Sequence, residues 1–342
     1  MSKPHPEPPE IAPVPDAGQP RVRAVACRSG VSIERGVPIE EFRDHIQEPE
    51  SVIWVDVENP GPTELAMLTD EFGLHPLALE DAGTGQRRPK VDEYKGYLLL
   101  VTHAALPTSD HREILTTEVD LFVGRNYVIS IHKGRVPALE EALNRWTRGG
   151  PMLREGVGFL VYAVLDALID SYAPVLARIE DEIDSTELAL LVRTDEAGVR
   201  NLLRLKRDLA SLRRVFYPLR AVFQFLLRRD HPVFPGNTEL YLRDVLDHVL
   251  QILDILDAER EMAAGALEAS LAVNANRLNK TMKSLAVITV AVAVVGSVFG
   301  AYGMNFDAIP LADAPWGFLV VAVGTIALVA VVLVLAWRLN WL

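Results

Sequence analysis

The five residues Tyr302-Gly303-Met304-Asn305-Phe306 carry the most chemical information in this chain. They stand between two uncharged apolar runs near the C-terminus and lead into a short polar loop. Asn305 offers a neutral carboxamide there; taken alone, an Asn at a helix end reads as a cap. Groups for covalent or acid–base chemistry are not assembled elsewhere. Cys27 is the only cysteine, which excludes an intrachain disulfide and a thiolate metal cluster. Eight histidines are scattered without zinc-site spacing. No G-x-x-x-x-G-K-[ST] or G-x-G-x-x-G phosphate loop occurs, which argues against an ATP-driven pump. No Ser-His-Asp or Cys-His grouping stands out. The sequence predicts a protein that is not an enzyme and takes no organic cofactor.

A length of 342 residues allows two or three folded units. The chain is 23% charged and 49% hydrophobic, but charge dominates up to Lys283 and nearly vanishes afterwards. That split describes a water-exposed part followed by a membrane part. A net charge of −12, from 46 acids against 34 bases, argues against nucleic acid as a partner. Residues 1–21 are rich in proline, with no apolar stretch of the signal-peptide kind, and are predicted to be a disordered tail.

Ser284 to Tyr302 is a run of 19 residues without formal charge, about 28 Å of helix, close to the thickness of a bilayer core. Residues 316–337 form a second run of 22, with Trp316 and Trp337 at its ends, where interfacial tryptophan is favoured. Arg277, Lys280 and Lys283 precede the first span and Arg338 follows the second, whereas the loop 304–315 contains Asp307 and Asp313 but no base. The positive-inside rule therefore predicts a two-helix transmembrane hairpin in the plasma (inner) membrane, both termini and the tail 338–342 cytoplasmic. One hairpin encloses no aqueous path, so conduction requires an oligomer. Gly296-x-x-x-Gly300 in the first span permits close helix approach.

The part before the spans divides in two. Residues 22–150 carry strand-like stretches at Val52–Val57, Tyr97–His103, Val119–Val123 and Tyr127–His132, with helical patterns at Thr63–Phe72 and Val136–Thr147. This mixed order predicts an α/β domain with a small sheet. Residues 151–238 read as long helices, one over Phe159–Val192 and another over roughly Asp195–Leu227. A third, residues 239–303, runs without proline as a stalk into the first span.

Three separated segments carry a family resemblance. Leu74-His75-Pro76-Leu77 leads to Leu79-Glu80-Asp81 and then Gln86-Arg87-Arg88-Pro89-Lys90-Val91. Tyr241-Leu242-Arg243-Asp244-Val245-Leu246-Asp247-His248 follows, and Gly300-Ala301-Tyr302-Gly303-Met304-Asn305-Phe306 completes the set. Their kind and order resemble the CorA family of divalent-cation transporters. The resemblance implies a funnel-shaped homopentamer in the lipid bilayer that passes Mg²⁺, with Co²⁺ or Ni²⁺ as further ions, down the membrane potential. It implies a selecting mouth at Gly303, Met304 and Asn305, where five carboxamides accept hydrogen bonds from the ion's water shell. It also implies a pore lined by Asn279, Met282, Leu285, Thr289, Ala293, Gly296 and Gly300, with Met282 and Leu285 as apolar gate rings. The spacings 3, 3, 4, 4, 3 and 4 keep these residues on one helical face. That face has no carboxylate, which suits a cation that keeps its water, as Mg²⁺ does.

By the same resemblance Mg²⁺ is a regulatory ligand as well as substrate. Asp81 of one subunit and Asp244 of its neighbour match a pair bridged by the ion, with Glu80 and Asp166 as weaker candidates for an adjacent site. The chain departs from the family pattern at Ala293 and Val294, where a bulky apolar residue and a proline are frequent, and in its single tail base Arg338. The loop Ile309-Pro310-Leu311 leans toward the zinc-transporting ZntB branch. A membrane-anchored cation sensor that does not conduct is the reading from another class.

Overall fold

The computed structural model describes residues 18–82, 87–108, 114–192, 196–227, 238–304, 310–311, 314–339 and 341. The chain forms two compact units, Met1–Ser185 with Asn201–Ala263 and Thr186–Arg200 with Ala264–Leu342.

The first unit is built on a sheet of seven strands: β1 (Arg21–Arg28), β2 (Ser32–Arg35), β3 (Ser51–Glu58), β4 (Lys90–Tyr94), β5 (Tyr97–Leu106), β6 (Leu115–Gly124) and β7 (Tyr127–His132). Their order is β2-β1-β3-β7-β6-β5-β4; β3 and β7 run parallel and the other neighbours antiparallel. The inner strands read as runs of branched and aromatic residues because both of their faces are covered. The four expected strand stretches lie within β3, β5, β6 and β7. β1 was not expected, and it begins at Arg21, the last residue assigned to the tail. There Arg21 opposes Glu58 in the antiparallel register with β3.

Alternation in β3 sorts the two faces. Ile53, Val55 and Val57 enter a core with Phe42 of α1 (Phe42–Gln47), Leu68 of α2 (Pro62–Phe72) and Leu79 of α3 (Pro76–Asp81). Trp54 points the other way, its ring 6.4 Å from that of Trp146 in α4 (Pro137–Thr147). On this side α5 (Val157–Asp170) packs against α4, β5 and β7. The result is three layers, helix on sheet on helix.

The single helix expected over Phe159–Val192 is two helices, α5 and α6 (Ala173–Val192). Pro174 is the physical reason: it has no N–H and its ring collides with the carbonyl four residues back, at Asp170. Ser171 fills the break, its hydroxyl donating to the Leu168 carbonyl at 2.6 Å and accepting from the Ala105 N–H at 3.0 Å. Two long helices follow, α7 (Glu196–Leu226) and the 65-residue α8 (Thr238–Tyr302), which both units share. In the first unit α8 lies on α5, with the Tyr241 ring 6.0 Å from Phe159 and 5.2 Å from Tyr162. Gly158 makes this approach possible, since a Cβ there would collide with the Thr238 side chain.

In the second unit α8 meets α9 (Gly317–Arg338) in an antiparallel hairpin. At one end the rings of Phe299 and Phe318 are 6.4 Å apart; at the other the Ser284 hydroxyl donates to the Trp341 carbonyl at 3.3 Å. Gly317 is required at the turn, because a Cβ would strike the Leu311 carbonyl.

Candidate functional site

Among the described residues, one group of three side chains brings metal-binding atoms together: Asp166, Asp170 and His248, all within 4.8 Å of one another. Asp166 and Asp170 stand one turn apart on α5, and His248 comes from α8. Asp166 is buried, with 4% exposure. Arg145, from the last turn of α4, already serves both acids: it pairs closely with Asp166 and lies 3.2 Å from Asp170. The His248 Nδ1 is 3.3 Å from Asp166 Oδ1. Two carboxylates and one guanidinium leave a net charge of −1 beside an imidazole, so a divalent ion here shares the acids with Arg145. Of this group only Asp166 was expected from the sequence. Arg145 is 21 residues from Asp166 and His248 far beyond it, and no local spacing signals that the fold unites them.

The segment around Glu80 and Asp81 is held at both ends. His75 caps α3, its ring accepting from the Leu77 N–H at 3.2 Å, while its backbone N–H donates to the Tyr97 hydroxyl at 3.1 Å. Beyond the helix, the Arg87 N–H donates to Glu118 at 2.7 Å and its guanidinium reaches Asp120 at 2.5 Å, both acids buried in β6. Glu80 and Asp81 themselves are exposed at the end of α3. Asp244 is exposed on α8, and its charge acts on the Tyr162 hydroxyl of α5. Burial, and then the Asp244 charge, push the Tyr162 hydroxyl above its ordinary pKa. α3 and α5 cover opposite faces of the sheet, and α8 lies on α5, so Asp81 and Asp244 of one chain belong to different layers.

On α8 the residues Ser284, Val287, Ala291, Val294 and Val298 are buried or half-buried, which marks the stripe turned to α9. At about 100° per residue, the expected pore face falls roughly opposite that stripe. Asn279, Met282, Leu285, Thr289, Ala293, Gly296 and Gly300 are all exposed in the chain, Met282 at 65% and Leu285 at 61%. A Cβ at Gly296 or Gly300 would meet nothing within 4 Å. The only described side-chain hydrogen bond from these seven is that of Thr289, which donates to the Leu285 carbonyl at 2.8 Å. After Tyr302 the helix closes through the Gly303 N–H, which donates to the Phe299 carbonyl at 3.0 Å, and Met304 is exposed. Asn305 lies outside the described residues.

Among the described residues, three stretches are long and apolar enough to cross a membrane by length and composition. In Val157–Leu191 the apolar window is 67% buried, as expected of a helical layer inside a fold; in α8 and α9 it is 6% buried.

The model of the family described as CorA-like Mg2+ transporter protein matches residues 49–339. The Cobalt/magnesium transport protein CorA of Thermotoga maritima is 33% identical over 86% of this chain and 88% of its own. The putative metal ion transporter YfjQ of Bacillus subtilis is 31% identical over 90% of this chain and 94% of its own. Among solved structures, the complete CorA magnesium transporter of Methanocaldococcus jannaschii superposes with a TM-score of 0.79 at 25% identity, covering 93% of this chain and 98% of that one.

Proposed function

The chain belongs to the CorA-like Mg2+ transporter family, a family of divalent-cation transporters, and from that membership we propose that it is a channel-like path for hydrated Mg²⁺. Five chains surround the path, each contributing the α8 face from Asn279 to Gly300. The observation that carries this reading is the exposure of that whole face, uncharged and turned away from α9. α9 completes a two-span hairpin, with both termini cytoplasmic by the distribution of Lys and Arg.

Gly303, Met304 and Asn305 form the outer mouth, where carboxamide oxygens accept hydrogen bonds from the ion's water. A divalent cation crossing 100 mV gains roughly 4.6 kcal/mol, so the membrane potential suffices as driving force. Met282 and Leu285 close the path when their rings exclude water. Mg²⁺ between Asp81 of one chain and Asp244 of the next holds the closed state, by removing the repulsion of two facing carboxylates. The placement of these acids on different layers of one chain supports a bridge made between chains. Glu80 and Asp166 flank it, and at Asp166 the ion competes with Arg145.

The deciding experiment is flux through purified protein in liposomes under an imposed potential, with Mg²⁺, Co²⁺ and Zn²⁺ compared. Asn305→Ala is expected to lower Mg²⁺ flux by about tenfold or more, equivalent to about 1.4 kcal/mol, with the oligomer intact. Parent-like flux in an assembled variant overturns the role of the mouth. Flux of Zn²⁺ in preference to Mg²⁺ overturns the choice of ion, and no flux at all leaves a cation sensor.

A further inference from the structure

One end of the α8–α9 hairpin is basic in a chain whose net charge is −12. Between Glu268 and Asp307, and again from Asp313 to Trp341, the sequence holds no further acid, whereas Arg277, Lys280, Lys283 and Arg338 gather at that end. Lys280, Lys283 and Arg338 are exposed, and among the described residues none of the three forms an ion pair. Trp341 ties the two helix ends together. Its N–H donates to the Ala336 carbonyl at 2.9 Å, its carbonyl accepts from the Ser284 hydroxyl at 3.3 Å, and its ring lies 5.9 Å from the Lys283 ammonium. Arg338, the last residue of α9, stands just before this fold-back and joins the cluster.

These bases are not on the proposed pore face. At about 100° per residue, Lys280 falls on the middle of the stripe that Ser284, Val287 and Ala291 turn to α9, and Lys283 lies about 60° from it. Met282 and Leu285 are turned about 140° or more away. Depth selects the partner. The uncharged run begins at Ser284, so Lys283 and Lys280 stand about 1.5 and 6 Å along the axis beyond the hydrocarbon core. The headgroup layer is about 5–8 Å deep on each side, and both residues fall within it. Beside them α9 exposes Val334, Leu335 and Leu339.

We propose that Lys280, Lys283, Arg338 and Trp341 seat the headgroup of an anionic phospholipid, with its phosphate on the bases and its acyl chains along the apolar flank of α9. The proposal rests on the two-span reading above. A free anion would use the bases alone, whereas a lipid also covers Val334, Leu335 and Leu339. A zwitterionic headgroup brings its own cation to the same bases and gains less. Each base close to an anionic surface strengthens the attraction roughly fivefold.

The experiment is thermal unfolding of the full chain in neutral detergent with divalent ions chelated, titrated with dioleoylphosphatidylglycerol or dioleoylphosphatidylcholine. The phosphatidylglycerol is expected to raise the midpoint at a concentration about tenfold or more below that at which phosphatidylcholine gives the same rise. Lys283→Gln is expected to narrow that ratio about fivefold, and the triple variant Lys280→Gln, Lys283→Gln, Arg338→Gln to abolish it. Lys280→Arg with Lys283→Arg keeps the charge and is expected to keep the preference. Equal response to the two lipids in the parent, or a preference that survives in the triple variant, overturns the site. Glycerol phosphate, which has the phosphate without acyl chains, is expected to give no rise; a rise equal to that of the lipid overturns the choice of a lipid. Flotation with phosphatidylcholine vesicles after an alkaline wash tests the two-span reading separately, since an integral hairpin stays with neutral lipid whatever its headgroup preference.

Discussion

Asp56 in β3 accepts hydrogen bonds from Arg23 at 2.6 Å, Ser130 at 2.5 Å and His132 at 3.1 Å, and all four groups are supplied by one chain. The apolar parts of α8 and α9 behave in the opposite way, with Phe318 76% and Ile326 70% exposed. In the first region polar groups were taken out of water and therefore had to find partners inside the same fold. In the second, apolar side chains were left outside, which a membrane protein requires and a water-soluble one avoids. The difference separates two kinds of residue. Those of the sheet unit are judged by stability, because their partners are present. Those of the α8 face are judged by flux, because in the proposed function their partners are lipid, ions and other chains.

The largest expected effect is therefore Asp56→Ala, which strands Arg23, Ser130 and His132 and costs about 3–5 kcal/mol in denaturant unfolding. The pH dependence has the matching sign. Burial pushes the Asp56 carboxyl up, but hydrogen bonds from His132, Ser130 and Arg23 outweigh it and hold the pKa below the ordinary value. Its contribution is thus present above the unfolded carboxylate range, about pH 4, and is lost as pH falls through the depressed folded value. Asp56→Asn is expected to flatten that acid limb.

Arg87→Met comes next, at about 3 kcal/mol, since it leaves Glu118 and Asp120 facing each other without their cation. Adding Glu118→Gln and Asp120→Asn is expected to recover part of the loss; no recovery in unfolding experiments means that Arg87 acts through packing alone.

Gly296→Leu tests the other side of the comparison. With no neighbour within 4 Å in the chain, it is expected to change unfolding stability by less than about 0.5 kcal/mol while reducing Mg²⁺ flux about tenfold. A large stability change with normal flux would place Gly296 with the packed residues. Asp244→Ala is the mildest: the Mg²⁺ level for closure, followed by protease protection, is expected to rise about threefold, under 1 kcal/mol. Asp244→Lys provides a tethered cation for Asp81 and is expected to hold the closed state after chelation. Parent-like closure in both variants removes Asp244 from the control of the gate.

The part of this architecture visible in the sequence is the part written in local periodicity. β3, β5 and β7 announce themselves through dense branched and aromatic residues, and α8 through its long run without proline. β2 and β4 are short, charged edge strands, each in a hairpin with the strand next to it in sequence, and they lack the dense branched and aromatic residues that mark the inner strands. The break between α5 and α6 was legible in Pro174, although the apolar pattern on either side concealed it. Among the site residues, Asp166 was expected from the family resemblance, as a weaker candidate outside the three motif segments. Arg145 was not, because a partner across a helix interface is a property of three dimensions. The α8 face was expected from the family resemblance, and its spacings of 3, 3, 4, 4, 3 and 4 keep it on one side of the helix.

α8 is continuous for 65 residues, and continuity has a consequence for how the gene can change. In a helix each added residue turns everything after it by about 100° and lifts it about 1.5 Å. A single-codon insertion between Ala263 and Met282 would leave every contact made before it intact and swing Met282 and Leu285 round the axis. A substitution in the same stretch moves nothing. α8 should therefore tolerate wide variation in composition and almost none in length, except for insertions of about seven or eleven residues that restore the phase.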